Sequence, residues 1–318
     1  MIRRATHAGS WYSKNRQKLD KELQGWLDDV PRTVPNHVGV EIQLPINTAR
    51  AIIVPHAGYS YSGPTAAYGF GLVDTSVIKR VFILGPSHHF YLDGCALSQC
   101  AEYETPLGNL VIDAEMCREL EATRSFSSMT VSVDEDEHSI EMQLPYIVKI
   151  MNRSPTSYTI IPVLVGAISN AKEAHYGEIF SKYLADPTNL FVISSDFCHW
   201  GSRFSYTQKH HTSTRDTPIY QSIEALDREG MDLIERLDPA AFATYLKRTR
   251  NTICGRHPIA VLLNAVTKAF PALVPKPADG EDSSPTLKFV RYAQSSQVRN
   301  ERESSVSYAS GYLNVPEP

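Results

Sequence analysis

Residues 80–89 read Arg80-Val-Phe-Ile-Leu-Gly-Pro-Ser-His-His89. Val81 to Leu84 is an unbroken run of branched and aromatic apolar side chains, closed by Gly85-Pro86. Continuous apolarity, unlike alternation, suits a strand buried on both faces, and such strands belong to parallel sheets covered by helices. His88 and His89 follow at the strand's C-terminal end. In open α/β sheets that edge gathers ligands, because loops leaving neighbouring strands converge there. The stretch therefore predicts an active or metal site at the carboxyl edge of a sheet, with His88 or His89 as one ligand.

Working outward, Ala49–Val54 has the same character and ends in Pro55-His56-Ala-Gly-Tyr59. A helix is expected from about Pro64 to Val73, giving a strand–helix–strand unit with parallel strands and a right-handed crossover. Upstream, His7-Ala-Gly-Ser-Trp-Tyr12 leads into a helix over Asn15–Val30, and the Pro-containing piece 31–47 reads as loop. Downstream, Gly94–Gln99 and Leu110–Asp113 read as short strands around a turn at 106–109. Asp134–His138 opens a helix with Ile140, Leu144, Ile147 and Ile150 as its core stripe. Tyr158–Gly166 and Leu190–Ser194 are further buried strands, separated by a helix over Ser169–Ala185. Residues 218–270 read as helices broken at Gly230, Asp238-Pro239 and 251–255. A loop over 274–285 precedes closing strands at Thr286–Gln294 and Ser304–Leu313. With no internal repeat and no clear linker, the pattern predicts one α/β domain over 1–318 around a mixed, largely parallel sheet.

Composition narrows the function classes. The 318 residues are 42% apolar, enough for a large core. Lys and Arg number 31 against 35 Asp and Glu, a net charge of −4 without a basic stripe, which argues against nucleic acid as a partner. The 5 cysteines (Cys95, Cys100, Cys117, Cys198 and Cys254) are scattered without a CxxC pair, as free thiols in a reducing compartment would be. Met1-Ile-Arg-Arg runs into polar Thr6-His7 without a signal-peptide core, and no apolar run approaches a membrane span. A soluble cytoplasmic or nuclear protein is expected.

The candidate chemistry sits where strands end. His56 and His88 follow two buried strands, so their imidazoles could meet one cation. His89, adjacent in sequence, is expected to point elsewhere and support the site from outside. Cys254, in Asn251-Thr-Ile-Cys-Gly-Arg-His-Pro258, precedes a helix start with Arg256 nearby, a setting expected to depress its pKa. Asp196 and His199 in Ser195-Asp-Phe-Cys-His-Trp200 lie one turn apart if the segment is helical, and could then work as an acid/base pair. Cys198 is expected to be structural. The acidic run 134–137 suits a helix N-terminus. His138 could face the same pocket, His7 has an open role, and His210-His211 is expected to be solvated. Dinucleotide-binding, P-loop, zincin and nucleophile-elbow patterns are all missing from the sequence.

Seven segments carry a family resemblance: HAGSWY from His7, PHAGY from Pro55, FILGPSHH from Phe82, DEDEHSIEMQLPY from Asp134, IIPVLVGA from Ile160, SSDFCHWG from Ser194 and NTICGRHP from Asn251. Together with the closing AQSSQ and SSVSYA they resemble the Memo family over nearly the whole chain. The resemblance implies a fold similar to class III extradiol non-haem iron dioxygenases, an α/β sandwich around a mixed sheet. It also implies a metal pocket at His56, His88 and Cys254, with Asp196 and His199 close by. Iron or copper is the implied metal, with zinc as a further option. The implied roles are redox regulation, cell motility and invasive growth, through signalling or cytoskeletal partners that include phosphotyrosine peptides. Extradiol enzymes use two histidines and a carboxylate; a thiolate in third place favours Cu(I), Zn(II) or a differently tuned iron and weighs against ring cleavage.

Two other functions suit a donor-rich pocket. An oxidase or ring-opening dioxygenase acting on a small aromatic would consume oxygen and lose that activity in His88→Ala. A peptide-binding module would grip an acidic or phosphorylated side chain with its histidines and Arg256, and its affinity would survive metal removal.

Overall fold

The computed structural model describes residues 1–35, 39–152, 154–271 and 286–315. Its centre is a sheet of 9 strands. Four segments with apolar cores form the parallel middle in the order Ala49–Val54, Asn189–Ser194, Arg80–Pro86, Thr159–Val165. Ile52, Val81, Phe82, Ile83, Ile161 and Val192 have no exposed surface, as strands covered on both faces must. Cys95–Leu97 adds antiparallel to Thr159–Val165, and Phe126–Ser128 pairs with it in parallel. On the other side Ser305–Asn314 runs antiparallel to Ala49–Val54 and also pairs with Thr286–Gln294 and His199–Trp200. The sheet is therefore mixed, as expected, with a parallel centre and antiparallel pairings on both sides of it.

Strand order positions the site. Ala49–Val54 and Arg80–Pro86 are not neighbours, because Asn189–Ser194 inserts between them. The loops after all three strands therefore leave one carboxyl edge side by side, with the Ser194-Ser195-Asp196 end between His56 and His88.

Helices Arg16–Asp28, Tyr59–Phe70 and Leu144–Met151 pack together. A second group is formed by Asn170–Ala185, Ile219–Glu235, Pro239–Thr249 and Arg256–Ala269. Asn15 and Ser169 cap their helices by accepting from Lys18 and Lys172 backbone N–H groups.

Several elements differ from expectation. Residues 31–47 contain a hairpin, Thr33–Pro35 against Glu41–Gln43. The helix expected from Pro64 starts at Tyr59 and carries Pro64 inside, forgoing one backbone bond. Leu110–Val111 pairs with Glu102–Tyr103, not with the 95–97 strand, and Ile2–Arg3 completes that small sheet. The helix expected from Asp134 is three pieces, Val131–Asp136, His138–Glu141 and Leu144–Met151. Gly230 does not break Ile219–Glu235; a Cβ there would meet the Tyr245 ring at 3.0 Å, so the glycine permits close helix packing. The loop expected at 274–285 lies outside the described residues. All five cysteines are free, and Cys198 is buried as expected. Among the described residues no helix is long and apolar enough to cross a membrane.

Candidate metal centre

His56 leaves its strand into a short turn before the helix at Tyr59, and its side chain is buried. The Ser194 hydroxyl donates to Ser139 O at 2.7 Å, so its oxygen can only accept from Gln143 Nε2 and from His56 Nδ1, both at 2.8 Å. That fixes the tautomer: Nδ1 carries the proton and Nε2 presents its lone pair. Burial, with the charges of His88, His138 and His199 behind it, holds the His56 pKa well below the usual histidine range. A buried neutral imidazole with an unprotonated Nε2 is in the state a metal ligand needs.

Cys254 Sγ lies 3.1 Å from that Nε2. The sulfur also accepts the Asp196 backbone N–H at 3.2 Å. Gly255 allows the approach: a Cβ on it would stand 2.3 Å from Ser195 Cβ and 2.5 Å from Ser194 O. The expected depression of the Cys254 pKa is not what the environment produces. Burial, reinforced by the Asp196 charge, pushes the thiol well up, outweighing the backbone N–H donors. In this environment sulfur is a thiol, and a bound cation would be needed to favour the thiolate.

His88 stands at the pocket mouth with 26% of its side chain exposed. Its Nδ1 is 2.9 Å from Glu137 Oε1, and its backbone N–H donates to Oε2 at 2.7 Å. Burial pushes the Glu137 acid up, but the His88 hydrogen bonds and the His88 and His138 charges bring it down to about 2. An ionised carboxylate can only accept, so His88 Nδ1 donates and Nε2 is left free. Glu137 thus orients His88 as a carboxylate does for a ligating imidazole. This is why the helix breaks at Glu137: its backbone is extended, its side chain serves His88 and Ser139, and its carbonyl accepts from Arg3.

His138 belongs to the same cluster. One ring nitrogen each from His56, His88 and His138 forms a group whose members all lie within 4.8 Å of one another. The buried Nδ1 of His138 has no hydrogen-bond partner among the described residues and lies 3.4 Å from Glu137 Oε1. Burial foremost, then the His88 charge, lowers the His138 pKa to about 3. The Trp11 ring covers it at 4.4 Å between centroids. Cys254 is not a member of that group, its sulfur standing beside His56 alone; the three imidazole nitrogens by themselves suit a borderline transition metal.

Asp196 and His199 are not a helical pair. The segment is extended, with His199 starting the short strand at His199–Trp200. Asp196 Oδ1 accepts the backbone N–H groups of His56 at 2.9 Å and Ala57 at 3.3 Å, bracing the His56 turn. Burial raises its pKa, against the opposing His199 charge and those two donors. No hydrogen bond joins Asp196 to His199. His199 Nδ1 instead donates to Phe197 O at 2.9 Å and Thr252 O at 3.1 Å.

The acidic run does more than cap a helix. Asp134 is buried against Arg3, Ser98 and Tyr103, and Glu135 holds Arg4. His7 donates from Nδ1 to Glu141 Oε2 at 2.8 Å, tying the N-terminal segment to the pocket wall. His89 stays outside the ring-nitrogen group. His210 is buried, not solvated, with Nε2 3.0 Å from Glu229 Oε2; His211 is exposed. These two and Glu229 form a second set of donors within 4.8 Å, but Arg248 already pairs with Glu229.

Sequence reasoning missed Ser194, Gln143 and Glu137 as supports of the site. Their only local signal was polarity in an otherwise apolar neighbourhood, as in Gln143 ahead of Leu144-Pro-Tyr146.

Comparison with known proteins places the chain. The model of Memo-like proteins matches residues 3–312. Human Protein MEMO1 is 51% identical over 315 residues, covering 99% of this chain and 98% of its own length. The Xenopus laevis Protein MEMO1 is 52% identical over the same shares. A Caenorhabditis elegans Protein memo-1 homolog is 49% identical over 98% of this chain and 83% of its own length. Among solved structures, an uncharacterized Escherichia coli K12 protein aligns with a TM-score of 0.43 and 11% identity, covering 82% of this chain and 99% of its own. With a family match over nearly its full length and half its residues shared with these relatives, the chain belongs to the Memo family.

Proposed function

We propose that the pocket binds a redox-active transition metal, iron or copper, through His56, His88 and Cys254. The observation that carries this reading is the His56 ring: buried, neutral, anchored at Nδ1 by Ser194, with Nε2 3.1 Å from the Cys254 sulfur. Such an ion, when bound, supplies one-electron chemistry and stabilises the thiolate. The chain's own residues hold the donors in place. Glu137 orients His88, Asp196 braces the His56 backbone, and the Asp196 N–H steadies the sulfur. His199, with Nδ1 committed to carbonyls, offers Nε2 as a proton acceptor, and we assign it the acid/base role.

Metal content of the purified protein, measured by plasma mass spectrometry, tests the site. Near-stoichiometric iron or copper in the wild type and at least a tenfold loss in both His56→Ala and Cys254→Ser are expected. Unchanged content in either variant refutes the ligand set.

On family membership we extend the proposal to a cytoplasmic role in redox regulation, cell motility and invasive growth, exercised through signalling or cytoskeletal proteins. Migration of cells lacking the protein should be restored by the wild type and not by Cys254→Ser. Equal rescue by both would separate motility from the metal.

A further inference from the structure

Outside the histidine cluster, Lys209 and the segments 215–219 and 299–302 line an open cleft of about 860 Å³. Four of its lining residues are cations: Lys209, Arg215, Arg299 and Arg302. Among the described residues none of the four makes an ion pair within 4.0 Å, although Glu303 lies within electrostatic reach of Arg299. Elsewhere exposed cations do find carboxylates, as in Lys182–Glu119, Arg228–Glu224 and Lys268–Glu178. Asp216 and Glu301 also line the cleft, so the lining carries two net positive charges, four less two, or one when Glu303 in the same turn is counted, on a chain whose total is −4.

The cleft is held open by its own bonds. Tyr220 N–H donates to Val298 O at 3.0 Å, and Gln294 Nε2 donates to Tyr220 O at 2.9 Å, so the two segments are fastened together. The Arg299 guanidinium sits 5.6 Å from the Tyr220 ring centroid, and its backbone N–H donates to Glu303. Asn300 also donates to Glu303, which closes the turn that carries Arg299 and Arg302. Cations gathered in a concavity repel one another unless an anion joins them, and the planar guanidinium fork matches phosphate oxygens. The volume is that of a small-ligand site.

We propose that this cleft binds a multiply phosphorylated headgroup of the inositol phosphate class, with Arg299 and Arg302 as its principal grips and Lys209 and Arg215 facing them. The ligand is the same chemistry whether free in solution or displayed on a membrane. A single phosphate would leave part of the charge unanswered, whereas several phosphates on one small ring can engage both segments together. The site is independent of the metal pocket, and neither its success nor its failure bears on that reading.

The test is calorimetric titration of the full chain with inositol hexakisphosphate at about 0.15 M salt, where unspecific surface attraction is screened within about 8 Å. A parallel flotation assay uses neutral vesicles with and without phosphatidylinositol 4,5-bisphosphate. The Arg299→Gln/Arg302→Gln double variant should lose at least tenfold in affinity in whichever arm binds, with its melting temperature unchanged because both side chains are exposed. A control with the same charge loss, Lys182→Gln/Lys268→Gln, should bind as the wild type does. Binding of the soluble ligand supports a free headgroup; vesicle binding without it supports a lipid source. Absence of binding in both arms, retention in the double variant, or equal loss in the control overturns the proposal.

Discussion

Arg3→Met should be among the most damaging single changes in this chain, although Arg3 lies at the extreme N-terminus. Its guanidinium has no exposed surface. It pairs with Glu141 at 2.7 Å and Asp134 at 3.1 Å, and donates to the carbonyls of Asp134, Arg4 and Glu137 at 2.9–3.0 Å. Removing one partner of a buried pair leaves an uncompensated charge and costs about 3–5 kcal/mol. Here two carboxylates lose the same cation, and neither is accessible enough for water to replace it. Burial already raises the Asp134 pKa in spite of Arg3. At Glu141 burial also pushes upward, but His7, Arg3 and Tyr12 together hold the acid below its usual range. Without Arg3 both acids would rise, so the variant's deficit should shrink as pH falls and they take up protons. Urea denaturation followed by circular dichroism at pH 7 and pH 5 reads both effects. The expectation is a loss of about 3–5 kcal/mol at pH 7, worth roughly 4–8 °C in melting temperature for a chain of this size. Glu141→Gln combined with Arg3→Met should cost less than the sum of the two singles, since the double removes a charge that the single strands. A loss below about 1 kcal/mol, or strict additivity, would refute the reasoning, because an isolated surface-like pair is worth no more than that.

Three further outcomes follow from the site and its supports. Glu137→Gln should weaken metal binding about 10–100-fold with His56, His88 and Cys254 intact, since the group orienting His88 loses its charge; metal titration with a competing chelator reads it. Gly255→Ala should destabilise the chain by about 1–3 kcal/mol and displace Cys254, because the new Cβ would overlap Ser195 and Ser194 O; thermal melting and thiol accessibility report the two effects. Asp227, fully buried, has its pKa raised to about 6 by burial, against hydrogen bonds from Asn251, Ser307, Tyr292 and Cys198. Between its unfolded value and about 6 the folded state holds more of the proton, so this group's contribution makes stability fall as pH rises from about 4 to 6. That slope, about 3 kcal/mol at full size, should vanish in Asp227→Ala whatever the variant's absolute stability, and a pH series of urea midpoints checks it.

Much of the fold was legible because the signals are local. A run such as Val81-Phe-Ile-Leu84 has one stable environment, between two covered faces, and the structure places it there. The strands at 49–54, 159–165 and 189–194 follow from the same pattern within a residue or two. The helix from Asp134 misled for a physical reason. The periodicity of Ile140, Leu144 and Ile147 is real, but breaking the helix at Glu137 lets its carboxylate reach His88, a gain no local propensity records. Arg3 was invisible for the same reason, since its partners lie more than 130 residues away.

By itself, then, the sequence determined which segments are buried strands, and that His56, His88 and Asp196 leave them at their carboxyl ends. Tertiary structure alone decided who meets whom. Inserting Asn189–Ser194 between the two histidine-bearing strands brings Ser194 to His56 Nδ1, and close approach at Gly255 brings the Cys254 sulfur to Nε2. It also decided protonation, raising a thiol that Arg256 and a helix start were expected to acidify, and selecting the neutral Nδ1–H tautomer of His56. Apolar patterning is a property of neighbours along the chain. Desolvation and hydrogen-bond partnership are properties of neighbours in space, and they exist only once the sheet has assembled.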